Sequence, residues 1–133
     1  ENGYKHMSTF TRQDFIDAAL RLNWEWVDKN LNDGDITPDD ILWATTTGIK
    51  DASKDIRDLA ATYLTTSVLP LALEDERKLV RVMLTDPYHI VQYRLAIALY
   101  KRGNRIVEVV NMFQKALDDE DVGRVAFTYK AAA

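Results

Sequence analysis

The chain has 133 residues, 47% hydrophobic and 29% charged, the composition of a folded domain with its own core. It has no cysteine, so disulfides, zinc–thiolate sites and thiol catalysis are excluded, and 5 glycines and 3 prolines are too few for a many-stranded sandwich or barrel. The net charge of −4 is unevenly spread: residues 1–76 sum to −8, residues 77–105 carry seven basic side chains against Asp86 alone, and 106–133 sum to −2.

The apolar positions Phe15, Ile16, Ala19, Leu22, Trp26 and Val27 recur at helical intervals and predict a first helix from Thr11 to the Asn30–Gly34 cluster. Thr37 as cap, Pro38 at the first helical position and Asp39 and Asp40 in the first turn open a second, which ends toward Gly48. A third, capped by Asp51 or Ser53, turns Ile56, Leu59, Ala60, Tyr63 and Leu64 inward and stops before Pro70. A fourth, from about Ala72 to Thr85, is expected to bury Leu73, Leu79, Val80, Met83 and Leu84. Asp86-Pro87 opens a fifth, with Val91, Leu95, Ala98 and Leu99 inward, closing at Gly103-Asn104. A sixth runs from Ile106 to Leu117 through Val109, Val110 and Phe113, and a short last one uses Val122, Val125, Ala126 and Tyr129. The fold class is all-α, with six or seven helices. Glu1–His6 and Ala131–Ala133 read as residues added in cloning, with Met7 a natural start. No run of about 18 apolar residues is present, so no membrane partner is expected. No secretory signal is read at the N-terminus, and the lack of cysteine suits a reducing compartment; a cytoplasmic location is expected.

An apolar-x-Asp triplet occurs at Ile49-Lys50-Asp51, Leu84-Thr85-Asp86 and Leu117-Asp118-Asp119, with spacings of 35 and 33 residues between the aspartates. Ile56, Ala61 and Leu64 match Val91, Ala96 and Leu99 at the same offset of 35. Ile56-Arg57-Asp58-Leu59-Ala60-Ala61-Thr62-Tyr63-Leu64 resembles the first helix of the short bacterial and archaeal HEAT repeat, whose pattern is Val-Arg-x-x-Ala-Ala-x-x-Leu. Val91 to Leu99 follows it with Gln92 in place of the arginine, and Gly123-Arg124-Val125-Ala126-Phe127 is a clipped third copy. The resemblance covers 51–130 and implies a right-handed stack of antiparallel helix pairs. Residues 8–130 then form a single helical-repeat domain, in which 8–50, with Trp24 and Trp26, serve as N-terminal capping helices. It also implies that Asp51, Asp86 and Arg57 link repeats as scaffold.

For function, the basic stretch is the leading candidate. Arg77 and Arg81 are four apart with Lys78 beside them, and Arg94, Lys101 and Arg105 follow at intervals of seven and four, with Arg102 adjacent. Tyr93 and Tyr100, seven apart, would add stacking surfaces. In HEAT-like stacks the second helices line the concave surface, which would aim Arg77, Lys78 and Arg81 into a groove. The bland reading is a solvated face whose long stems cover apolar neighbours.

Asp28 to Asp40 resembles an EF-hand loop, with Asp33, Gly34, Ile36 and Asp40 in register. Lys29 and Leu31 fall on two ligand positions and cannot ligate, so a capped interhelical turn accounts for the segment as well. His89 has no sequence-adjacent partner, and no phosphate loop, His-Glu-x-x-His or Gly-x-Ser-x-Gly occurs. No catalytic residue, metal ligand or cofactor is assigned. The expectation is a non-enzymatic scaffold or adaptor with a protein partner. Nucleic-acid binding is the alternative, as in alkylpurine DNA glycosylases, and a lyase-type accessory role resembling phycobilin lyases stands third.

Overall fold

The computed structural model describes residues 10–119, over which the chain forms seven α-helices and no strand. They are α1 (Arg12–Leu20), α2 (Trp24–Asn30), α3 (Pro38–Thr46), α4 (Lys54–Thr66), α5 (Leu73–Thr85), α6 (His89–Lys101) and α7 (Val107–Asp118), with 3₁₀ turns at Asp33–Asp35 and Gly48–Lys50. None is long and apolar enough to cross a membrane. The helix expected around Val122–Tyr129 and the clipped repeat at Gly123–Phe127 lie outside the described residues. The chain divides into two compact units, with the boundary between Leu69 and Pro70.

In the first unit, the single helix expected from Thr11 to Asn30 is two. It reverses at Leu22, whose φ of 61° lies in the left-handed region. Leu22 N–H donates to the Ala19 carbonyl and Asn23 N–H to the Ala18 carbonyl, the paired bonds of a Schellman ending. The reversal has a packing reason. A straight helix would carry Val27 about 18 Å along its axis from Phe15. Folded back, Phe15, Ala18, Ala19 and Val27 are all buried, and Trp26 lies 5.1 Å from Phe15, ring to ring.

The other starts follow their local signals. Thr11 with Asp14, and Thr37 with Asp40, form reciprocal capping boxes, Pro38 opens α3, and the Ser53 hydroxyl accepts from Asp55 and Ile56 N–H. On α4, Ile56, Leu59, Ala60, Tyr63 and Leu64 are buried, as their spacing predicts. Tyr63 meets Phe15 at 6.1 Å and Trp43 at 5.5 Å, joining α1, α3 and α4. Arg12 ties the start of α1 to that of α3, reaching Asp39 at 2.7 Å and Asp40 at 3.1 Å and lying over the Trp43 ring.

In the second unit, α6 is central and antiparallel to both neighbours. Asn104, just past α6, donates to Glu76 near the start of α5, and Tyr93, near the start of α6, donates to Asp119 just past α7. Val91 and Leu95–Leu99 are fully buried against Leu79 and Met83 of α5 and Val109, Phe113 and Ala116 of α7. Two residues expected in this core are at the surface instead, Leu73 (63% exposed) and Leu84 (49%), and Val110 of α7 is exposed as well. At 100° per residue, Leu73 and Leu84 point about 120° and 140° away from Leu79, and Val110 about 100° from Val109.

The sequence repeat has a local structural counterpart. α4 and α6 have bounds that differ by 35 residues at both ends. Each follows the same turn, in which Asp51 accepts from Ser53 N–H at 2.8 Å and Asp86 from Tyr88 N–H at 2.9 Å. Arg57 donates to the Asp51 and Ala52 carbonyls, steadying the first of these turns.

Candidate functional site

The predicted basic residues are placed very differently from one another. Arg77 and Arg81 are exposed, one helical turn apart on α5, on the side that carries Leu73 and Leu84. Lys78 is half-buried and 3.9 Å from Asp75. Arg94 does not reach a surface: it is 1% exposed, inside the core formed around α6. Arg102 is half-buried and donates to the Ala98 carbonyl at 2.9 Å. Burial lowers its pKa, against the opposing pull of Glu76. Lys101 and Arg105 are exposed at the end of α6 and in the turn beyond it.

Both tyrosines are engaged within the fold. Tyr93 is 2% exposed and its hydroxyl donates to Asp119. Burial, then the hydrogen bond and charge of Asp119, push that hydroxyl up to about 12. Tyr100 stacks on Phe113 at 4.1 Å and 3° between planes, while the Arg105 guanidinium sits 3.5 Å from the Tyr100 ring centre. Two groups at those distances cannot share one face, so the ring is covered on both. Neither tyrosine presents a bare platform.

Folding also rearranges the charge. Glu74, Asp75 and Glu76 occupy the first turn of α5, and the Asn104–Glu76 bond brings that turn beside residues 102–104. The basic end of α6 thus meets an acidic helix start. Arg77 and Arg81 remain as the basic pair on the outer side of α5.

In the loop resembling an EF-hand, Asp33 accepts from Val68 N–H at 2.9 Å, and Asp40 accepts from Thr37 N–H and from Arg12. Among the described residues, no three or more His, Asp or Glu side chains are grouped to hold a metal ion. His89 is exposed at the first position of α6, edge-on to Tyr88 and Tyr93.

One feature went undetected in the sequence. An open groove of about 480 Å³ lies between α1 and α2, lined by Phe10, Asp14, Asp17, Ala18, Arg21, Asn23 and Trp26. The spacing of Asp14, Asp17 and Arg21 puts them on one side of a helix, and that much is visible in the sequence. The reversal at Leu22, which sets Trp26 opposite them, has no glycine to announce it.

No protein-family model, curated protein or solved structure matches this chain.

Proposed function

We propose that the chain is a non-enzymatic, HEAT-like scaffold that binds a protein partner through the outer side of α5. The observation that carries this is the row Leu73, Arg77, Arg81 and Leu84, all exposed and spaced four, four and three apart, hence on one side of the helix. Apolar residues flanking a cationic centre form the ingredients of a protein-recognition surface, where arginine is enriched at the contacts that matter most. The repeated turns at Asp51 and Asp86 and the matched bounds of α4 and α6 support the HEAT-like reading. Arg57 and Asp86 serve local turns in keeping with a scaffold role.

The nucleic-acid alternative draws on the same two arginines. It would want stacking surfaces beside them, and Tyr93 and Tyr100 have theirs covered.

One experiment separates the two. A photo-crosslinking residue at position 77 or 81 is expected to give a discrete protein adduct in extract of the native source, while one at exposed Lys29 gives none. In parallel, the protein and an Arg77→Glu, Arg81→Glu variant are titrated with labelled single- and double-stranded DNA and RNA at two salt concentrations. Nucleic-acid binding that falls steeply with salt and disappears in the variant, with helicity unchanged, would replace the scaffold reading.

A further inference from the structure

We propose that the groove between α1 and α2 is a binding site for an arginine side chain of a partner peptide, separate from the α5 surface. Asp14, Asp17 and Ala18 of α1 and Arg21 just past its end form one stripe, and Asn23 at the start of α2 and Trp26 on it line the groove together with Phe10. The volume of about 480 Å³ lies within the ordinary range for small sites and admits one long side chain with its backbone.

The chemistry selects a planar cation. Asp14 accepts from Thr11 N–H with Oδ2 and Asp17 from the Gln13 amide with Oδ1, while the other oxygen of each accepts from no described residue. These open acceptors lie on the same side of α1, one turn apart. The Trp26 ring is held edge-on by Phe10, at 4.8 Å and 74°, and against Phe15, so its position is set before a ligand arrives. A cation over an indole face is attracted by the ring's quadrupole, most strongly for tryptophan. A guanidinium does both jobs at once, stacking flat on the ring while its edge forks to a carboxylate, which an ammonium cannot do.

Arg21 gives the groove a direction. It stands about 10 Å along α1 from Asp14 and makes no ion pair with a described residue. A peptide with an acidic residue following its arginine is therefore seated one way round, cation toward Asp14 and Asp17, carboxylate toward Arg21 and Asn23.

The test uses the whole chain, isotopically labelled, titrated at low salt with acetyl-Gly-Arg-Glu-amide. The Trp26 indole N–H and the amides of residues 14–23 are expected to shift and saturate. Replacing the arginine by uncharged citrulline or by lysine, or introducing Asp17→Asn, should weaken binding by about tenfold or more, equivalent to about 1.4 kcal/mol. The Arg77→Glu, Arg81→Glu variant should bind the peptide as the wild type does, so this site and the α5 surface stand or fall separately. No saturable shift up to about 10 mM peptide, or equal shifts with citrulline or lysine, would overturn the proposal.

Discussion

Leu22 and Gly103 occupy the same position in the same kind of helix ending. Leu22 follows α1 with φ 61°, and Gly103 follows α6 with φ 92°. In each, the next residue's N–H reaches back five positions, Asn23 to Ala18 and Asn104 to Leu99. A left-handed backbone costs an L-residue about 1–2 kcal/mol, and glycine avoids this at about 0.5–1 kcal/mol of chain entropy. Leu22 is 62% exposed, so its side chain returns little burial for that strain. Leu22→Gly is therefore expected to stabilise the protein by up to about 1 kcal/mol in urea titration. Gly103→Ala should destabilise it by about 1 kcal/mol, through the backbone alone, since a Cβ there meets nothing within 4 Å.

The buried tyrosines set an alkaline limit on stability. Burial raises the Tyr93 hydroxyl to about 12, with Asp119 adding to the effect. Burial also raises Tyr63, reinforced by the charge of Asp40 and opposed by that of Arg12. A folded pKa above the unfolded value of about 10 leaves the contribution whole below pH 10 and removes it as pH climbs toward 12. Thermal midpoints should thus fall between about pH 10 and 12, and fall less in Tyr93→Phe. An equal fall in that variant would assign the transition to other groups.

At the scale of elements, the first unit depends on one close approach and one ionic tie. A Cβ on Gly48 would stand 2.8 Å from the Ala60 Cβ and 2.9 Å from the Trp43 ring. The 3₁₀ turn between α3 and α4 can approach α4 because position 48 has no side chain. Gly48→Ala is expected to cost about 1–3 kcal/mol by overpacking, read as a lower urea midpoint with an unchanged slope. Arg12→Met, by contrast, keeps most of the stem and loses the bonds to Asp39 and Asp40. Those bonds and charges raise the Arg12 pKa despite the opposing effect of burial. Its expected cost is about 1–2 kcal/mol, with a modest further effect of salt because Asp39 is largely exposed.

At the scale of the whole molecule, the repeat makes an energetic prediction across its 35-residue offset. Ala61 and Ala96 occupy matched positions on α4 and α6, and both are fully buried. Enlarging either to Leu should cost about 1–3 kcal/mol, by similar amounts if the two positions are equivalent in packing as well as in register. A large cost at one and none at the other would confine the repeat to local structure.

Local chemistry was enough to read much of this molecule from its sequence. Thr37-Pro38-Asp39-Asp40 and Ser53 mark helix starts, Gly103 a helix end, and the periodicity of α4 and α6 their buried sides. Each of these depends on residues within about five positions of one another, as do the paired turns at Asp51 and Asp86. What the chain does with its charges was not legible in the same way. Residues 77–105 form one basic run in sequence, yet folding buries Arg94, sets Arg105 over Tyr100 and brings Glu76 beside Arg102. It likewise exposes Leu73 and Leu84, and it opens the groove beside Trp26 by a reversal at an ordinary leucine. Whether a side chain is core, rim or partner depends on which sides of separate helices meet, and only the tertiary packing decides that.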